Sequence, residues 1–138
     1  MVAFFIIFEI QTLTLFIMSR IVHFEIPSDN PEKSAEFYKT VFGWQTQKWG
    51  DMDYWLATTG DNTQPGINGA IMKKRDPRQP VTNSIGIKDM DASIKAIEAN
   101  GGKMVVPKTP IPTVGYYAYF TDPDGNIMGI MSEDKSAK

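Results

Sequence analysis

Read as polar and apolar positions, the chain falls into two stretches with the same order of elements. Over residues 21–26, β-branched and aromatic side chains alternate with polar ones, so Val22, Phe24 and Ile26 share one face of a strand and His23 and Glu25 the other. Ser28-Asp29-Asn30-Pro31-Glu32 then reads as a helix start, with Asn30 as N-cap and Pro31 at the first helical position. Ala35, Tyr38, Val41 and Phe42 follow at helical spacing, with Phe37 beside them, and Gly43 closes the helix as a left-handed cap. Further strands are expected over residues 45–49, 54–59 and 69–73.

The second stretch repeats this order. Residues 82–88 read as a strand with Asn83, Ile85 and Ile87 on one face and Thr82, Ser84 and Gly86 on the other. Asp89 or Asp91 caps a helix that carries Ile94 and Ile97 and stops at Asn100-Gly101-Gly102. Short strands follow over residues 103–106, 115–121 and 126–132, the last two joined by Asp122-Pro123-Asp124-Gly125, a type I turn signal. Each half is thus strand, helix and three strands, over residues 20–74 and 81–133, separated by a loop with two prolines. Tyr54-Trp55-Leu56-Ala57 aligns with Tyr116-Tyr117-Ala118-Tyr119, and Gly69-Ala70-Ile71-Met72 with Met128-Gly129-Ile130-Met131. One helix covers only one face of such a unit, so the other face curls against its twin and leaves a cleft.

Composition narrows the chemistry. The 138 residues argue for one domain with a real core, 42% hydrophobic and 22% charged. The net charge of −2 and the scattered Lys and Arg give nucleic acid binding little support. There is no cysteine, so disulfides, thiolate sites and Cys nucleophiles are excluded, and the single histidine, His23, rules out a multi-His metal centre within one chain. The first seventeen residues, MVAFFIIFEIQTLTLFI, are far more apolar than the rest. They lack the basic start and small-residue cleavage site of a secretory signal, and Glu9 interrupts any membrane span. The expectation is a domain over residues 18–138 with residues 1–17 outside the fold; an anchor or an extra strand stays open for them. No membrane partner is expected, and the protein reads as cytoplasmic.

His23-Phe24-Glu25-Ile26-Pro27, Asp29-Asn30-Pro31-Glu32, Glu36-Phe37-Tyr38 and Phe42-Gly43-Trp44, followed by Asn100-Gly101-Gly102 and Asp122-Pro123-Asp124-Gly125-Asn126, resemble the two halves of a vicinal oxygen chelate protein. This is the superfamily of glyoxalase I, bleomycin resistance proteins and extradiol dioxygenases, and the pieces resemble most its glyoxalase-like subgroup. The resemblance spans residues 20–133. It implies an α+β fold of two tandem βαβββ modules forming a curved eight-stranded mixed sheet with the helices on its outer face. Members with chemistry hold a divalent metal through four matched strand positions, which here fall on His23, near Ala70, on Thr82 and on Gly129. One of the four is a good ligand, so no metal or other cofactor is expected; a divalent metal, if held, would rest on His23.

His23 and Glu25 are the catalytic candidates. They are either an acid–base pair, or the start of a metal site completed by substrate, or a half-buried His beside a Glu that bonds backbone or an Arg. The candidate ligand-binding residues are Trp55, Thr82, Ser84, Tyr117, Tyr119 and Gly129. The aromatics offer stacking area, and the small residues suggest either a cavity kept open or a close backbone approach. The expected function is binding of a small organic molecule in the cleft between the modules, in the manner of bleomycin resistance proteins and without the family metal. Two alternatives stay open: a lyase or isomerase of glyoxalase type using His23 and Glu25, and an interaction scaffold. A homodimer is a further expected partner state.

Overall fold

The computed structural model describes residues 19–138. In it the caps read from the sequence set both helices. Helix α1 (Pro31–Phe42) starts at Asn30, whose side chain accepts from Lys33 N–H at 3.1 Å, and ends at Gly43 in the left-handed region (φ 76°). Helix α2 (Met90–Ala99) starts at Asp89, which accepts from Ala92 N–H at 3.0 Å and so is the cap of the two aspartates considered. Asn100 closes it, and Gly101 turns the chain at φ 92°.

Eight strands surround the helices in chain order: β1 (Ile21–Ser28), β2 (Gln45–Lys48), β3 (Tyr54–Thr58), β4 (Gly69–Lys73), β5 (Thr82–Gly86), β6 (Lys103–Ile111), β7 (Gly115–Thr121) and β8 (Ile127–Glu133). They form one mixed sheet in the order β2-β3-β4-β1-β5-β8-β7-β6. The modules meet at its centre, where β1 runs antiparallel to β5 with His23 opposite Ser84 and Glu25 opposite Thr82. Within each module the first strand pairs in parallel with the last: Glu25 lies beside Ala70, and Ser84 beside Gly129. The α+β architecture of two βαβββ units in one curved sheet is the expected one.

Some boundaries differ from the sequence pattern. Strand β6 continues through Pro107 and Pro110 to Ile111, well past residue 106. It is an edge strand, where a residue without an N–H breaks no ladder bond, and its register shifts twice. Strand β1 likewise runs on through Pro27 to Ser28, and β5 stops at Gly86 rather than 88. Residues 1–17, expected outside the fold, lie outside the described residues. No helix among the described residues is long and apolar enough to cross a membrane.

The core lies between the helices and the convex face. In the second module Met90 of α2 packs on Ala118 and Ile130, with Ile85, Ile94, Ile97 and Phe120 around them. In the first, Ala35, Ala57 and Ile71 are buried, and Trp44 packs on Phe24 with ring centroids 5.5 Å apart. Only part of the expected apolar stripe on α1 is covered. Tyr38 stacks on Trp44 at 4.6 Å, whereas Phe37, Val41 and Phe42 are more than half exposed. Helical spacing set the stripe, but only Pro31 and Ala35 of α1 are buried. The helices occupy the convex face, so the concave face stays open for a site.

Candidate functional site

Side chains alternate across each strand, so the face opposite the helices collects one residue in two. From β1 it takes His23 and Glu25, from β5 Thr82 and Ser84, and from β7 Tyr117 and Tyr119. All six line one cavity of about 690 Å³ spanning both modules. Its walls are mainly apolar, with Leu56 and Met72 from the first module and Val106, Ile127 and Met131 from the second. Trp49 and Met52, both exposed, and the loop 75–80 stand at its edge.

A hydrogen-bonded chain forms the polar part of this cavity. Glu25, 7% exposed, accepts from Tyr54 Oη at 2.6 Å on one oxygen and from Tyr119 Oη on the other. One tyrosine comes from β3 of the first module and the other from β7 of the second. A buried carboxylate without such donors would be strongly destabilising. Tyr54 Oη also lies 2.7 Å from His23 Nε2, with the two ring planes nearly parallel. The single phenolic proton goes to Glu25, so His23 Nε2–H must donate to Tyr54, and in the neutral imidazole Nδ1 is then the bare nitrogen.

The electrostatics follow from burial. His23 is held below the usual histidine value by desolvation, opposed by the charge of Glu25. Desolvation, and then the Glu25 charge and hydrogen bond, push both Tyr54 and Tyr119 far above the ordinary phenol value. Both therefore stay protonated donors at any working pH.

Of the residues singled out from the sequence, Trp55 does not join the cleft. It lies on the helix side, beside a crevice that it shares with Glu32, Ala35, Glu36 and Lys39 of α1, and Lys48 Nζ sits 5.7 Å from its ring centroid. The cause is a register slip in the repeat alignment. Superposing the parallel pairs Glu25–Ala70 and Ser84–Gly129 matches Tyr54, opposite Met72, with Tyr117, opposite Met131. The sequence alignment set Trp55 against Tyr117, and a one-residue slip exchanges the faces of a strand. Tyr54 was thereby missed as a functional residue, although alternation from the correct register would have found it.

Gly129 answers to the close-approach alternative rather than to a cavity kept open. A Cβ there would sit 2.2 Å from Ser84 Oγ and 3.3 Å from Tyr119 Cε1. No side chain fits in that space without moving its neighbours.

The model of the Glyoxalase/Bleomycin resistance protein/Dioxygenase superfamily matches residues 20–130. The chain belongs to this superfamily. Among relatives, a glyoxylase-like domain-containing protein of Didymella fabae is 30% identical over 112 residues, 77% of this chain and 88% of that protein. A putative glyoxylase of Mycobacterium bovis is 22% identical over 80% of this chain, which spans only 44% of that longer protein. Two solved structures share the fold. Methylmalonyl-CoA epimerase from Mycobacterium tuberculosis has a TM-score of 0.62 at 12% identity, over 83% of this chain and 87% of that one. A superfamily member from Vibrio splendidus has a TM-score of 0.59 at 14% identity, over 85% of this chain and 100% of that one.

The divalent metal held by many superfamily members does not suit the donors present. Of the four matched positions, Ala70 and Gly129 carry no donor, and Thr82 Oγ1 offers one neutral oxygen that already contacts Pro80 O at 3.3 Å. Both oxygens of Glu25 accept from neutral phenols, which are poor ligands themselves. No cluster of three His, Cys, Asp or Glu occurs among the described residues. One imidazole falls short of the three protein ligands that a catalytic divalent site ordinarily needs.

Three outcomes are expected from this geometry. Gly129→Ala should lower unfolding stability by about 1–3 kcal/mol through overpacking, and Ser84→Ala in the same chain should recover part of the loss. Tyr54→Phe should cost about 1–3 kcal/mol in urea unfolding, because it leaves Glu25 and His23 each short of a partner. Folded His23 should titrate below 6.5, read from the one imidazole signal by NMR. Between that pH and the folded value the unfolded chain binds a proton that folded His23 does not. The stability His23 contributes is therefore full above 6.5 and lost as pH falls through the window, and His23→Asn should flatten this part of the profile.

Proposed function

We propose that this superfamily member binds a small, mainly apolar organic molecule in the cavity between its modules, and that it does so without a metal. The observation that carries the reading is the cavity itself: about 690 Å³ of mostly apolar wall with a few convergent polar groups, within the range of small-molecule sites. The ill-matched donor set supports the metal-free part. Elemental analysis of protein purified without added metal should find no stoichiometric divalent ion. A fragment screen followed by NMR should shift the signals of Met72, Met131 and Tyr117 together. Shifts confined to the crevice at Trp55 would overturn the assignment of the site.

The hydrogen-bonded chain favours a second reading, an isomerase or lyase with His23 as base. Glu25 and Tyr54 fix its tautomer with Nδ1 bare, as a proton acceptor requires. His23→Ala separates the two. A binding protein would show a weakened Kd and no turnover to lose, whereas an enzyme would lose about 10²–10⁴-fold in kcat. The exposed Phe37, Val41 and Phe42 of α1 support the expectation of a homodimer, which sedimentation of the wild type beside a Phe42→Asp variant would test.

A further inference from the structure

The cavity holds polar groups that its internal bonds leave unused, and they point to the charge of its ligand. At the floor, Glu25 is bonded by both tyrosines, and burial keeps His23 neutral near neutral pH. Ser84 is different. It is only 6% exposed and lines the cavity, yet its hydroxyl bonds to no other described residue and lies over the space above Gly129. No buried side-chain oxygen or nitrogen among the described residues lacks a partner, so this unbonded hydroxyl is open to the cavity, where a ligand atom can bond it.

At the rim the charges are unequally matched. Asp76 and Arg78 pair with each other at 3.6 Å, and Asp76 also accepts from Arg78 N–H at 2.8 Å. Arg75 makes no ion pair among the described residues, although it lines the same cavity. Its backbone is held in place: Arg75 N–H donates to Gln79 Oε1 at 2.8 Å, and Gln79 Nε2 lies 3.8 Å from Met72 Sδ in the cavity wall. The positive charge of Arg75 reaches the interior, where it opposes the upward shift of the Tyr119 phenol.

We propose that the cavity takes an organic monoanion, with its charged head at Arg75 and its apolar body along the Met72 and Met131 walls, where Ser84 bonds a polar atom further in. This rests on the binding reading given above and adds the ligand's charge and orientation. The Glu25 charge sets the orientation, because a second anion beside a buried carboxylate is repelled while one at the rim meets a guanidinium. A guanidinium suits an oxyanion head, which it bonds in two parallel contacts.

The test uses Nile red, a neutral apolar dye, to report occupancy of the cavity, displaced by octanoate or by 1-octanol. The two competitors share a chain and differ in charge. Octanoate should displace the dye at about a tenfold lower concentration than octanol, equivalent to about 1.4 kcal/mol. Arg75→Gln should remove that preference and leave octanol unchanged, and Arg78→Gln should keep it. Equal displacement by both competitors, or a preference that survives Arg75→Gln, would overturn the charge assignment while the binding reading stands. Failure of the dye to bind at all would overturn the binding reading, and the inference with it. Arg75 is an exposed loop residue outside any ion pair among the described residues, so the variant should melt with the wild type, which a thermal scan verifies.

Discussion

The site depends on one buried carboxylate. Glu25 sits on β1 near the centre of the sheet, where the first strands of the two modules meet, with a phenol from each module donating to it. Removing water from a carboxylate is costly, and two charge-assisted hydrogen bonds offset that cost only where both donors are held in place. Tyr54 and Tyr119 are held by the sheet registers of β3 and β7, so the relative placement of the two modules is written into one side chain's hydrogen bonds.

Several features follow from that arrangement. Because Tyr54 gives its proton to Glu25, it can only accept from His23, and the imidazole tautomer is settled two bonds away. Because each Glu25 oxygen already holds a phenol, the buried carboxylate at the cavity floor is engaged within the protein. Ser84 and Tyr119 crowd the space above Gly129. The surrounding surface is mainly apolar, with polar groups confined to its floor and rim.

The superfamily shows how one scaffold carries different sites. Its fold is shared at 12–14% identity with structures such as methylmalonyl-CoA epimerase, a likeness that speaks for the scaffold alone. The candidate site of this chain lies on the concave face of its strands. Residues on the concave face can differ without disturbing the convex core, because the two faces of each strand answer to different neighbours.

The sequence by itself determined the helices, the order of elements along each half and the duplication, since caps, turns and alternation are local signals. It also placed His23 and Glu25 on one face and left Ala70 and Gly129, two of the four matched metal positions, without a side-chain donor. Six of the singled-out residues, His23, Glu25, Thr82, Ser84, Tyr117 and Tyr119, line the cavity. Strand pairing decided the rest, because it is a contact between residues far apart in the chain. Register put Tyr54 rather than Trp55 in the cleft, brought Tyr119 to Glu25 across ninety-four positions and set Ser84 against the bare backbone of Gly129. A period of two tells which residues share a face of one strand. Only the paired neighbours fix which face that is and what stands opposite.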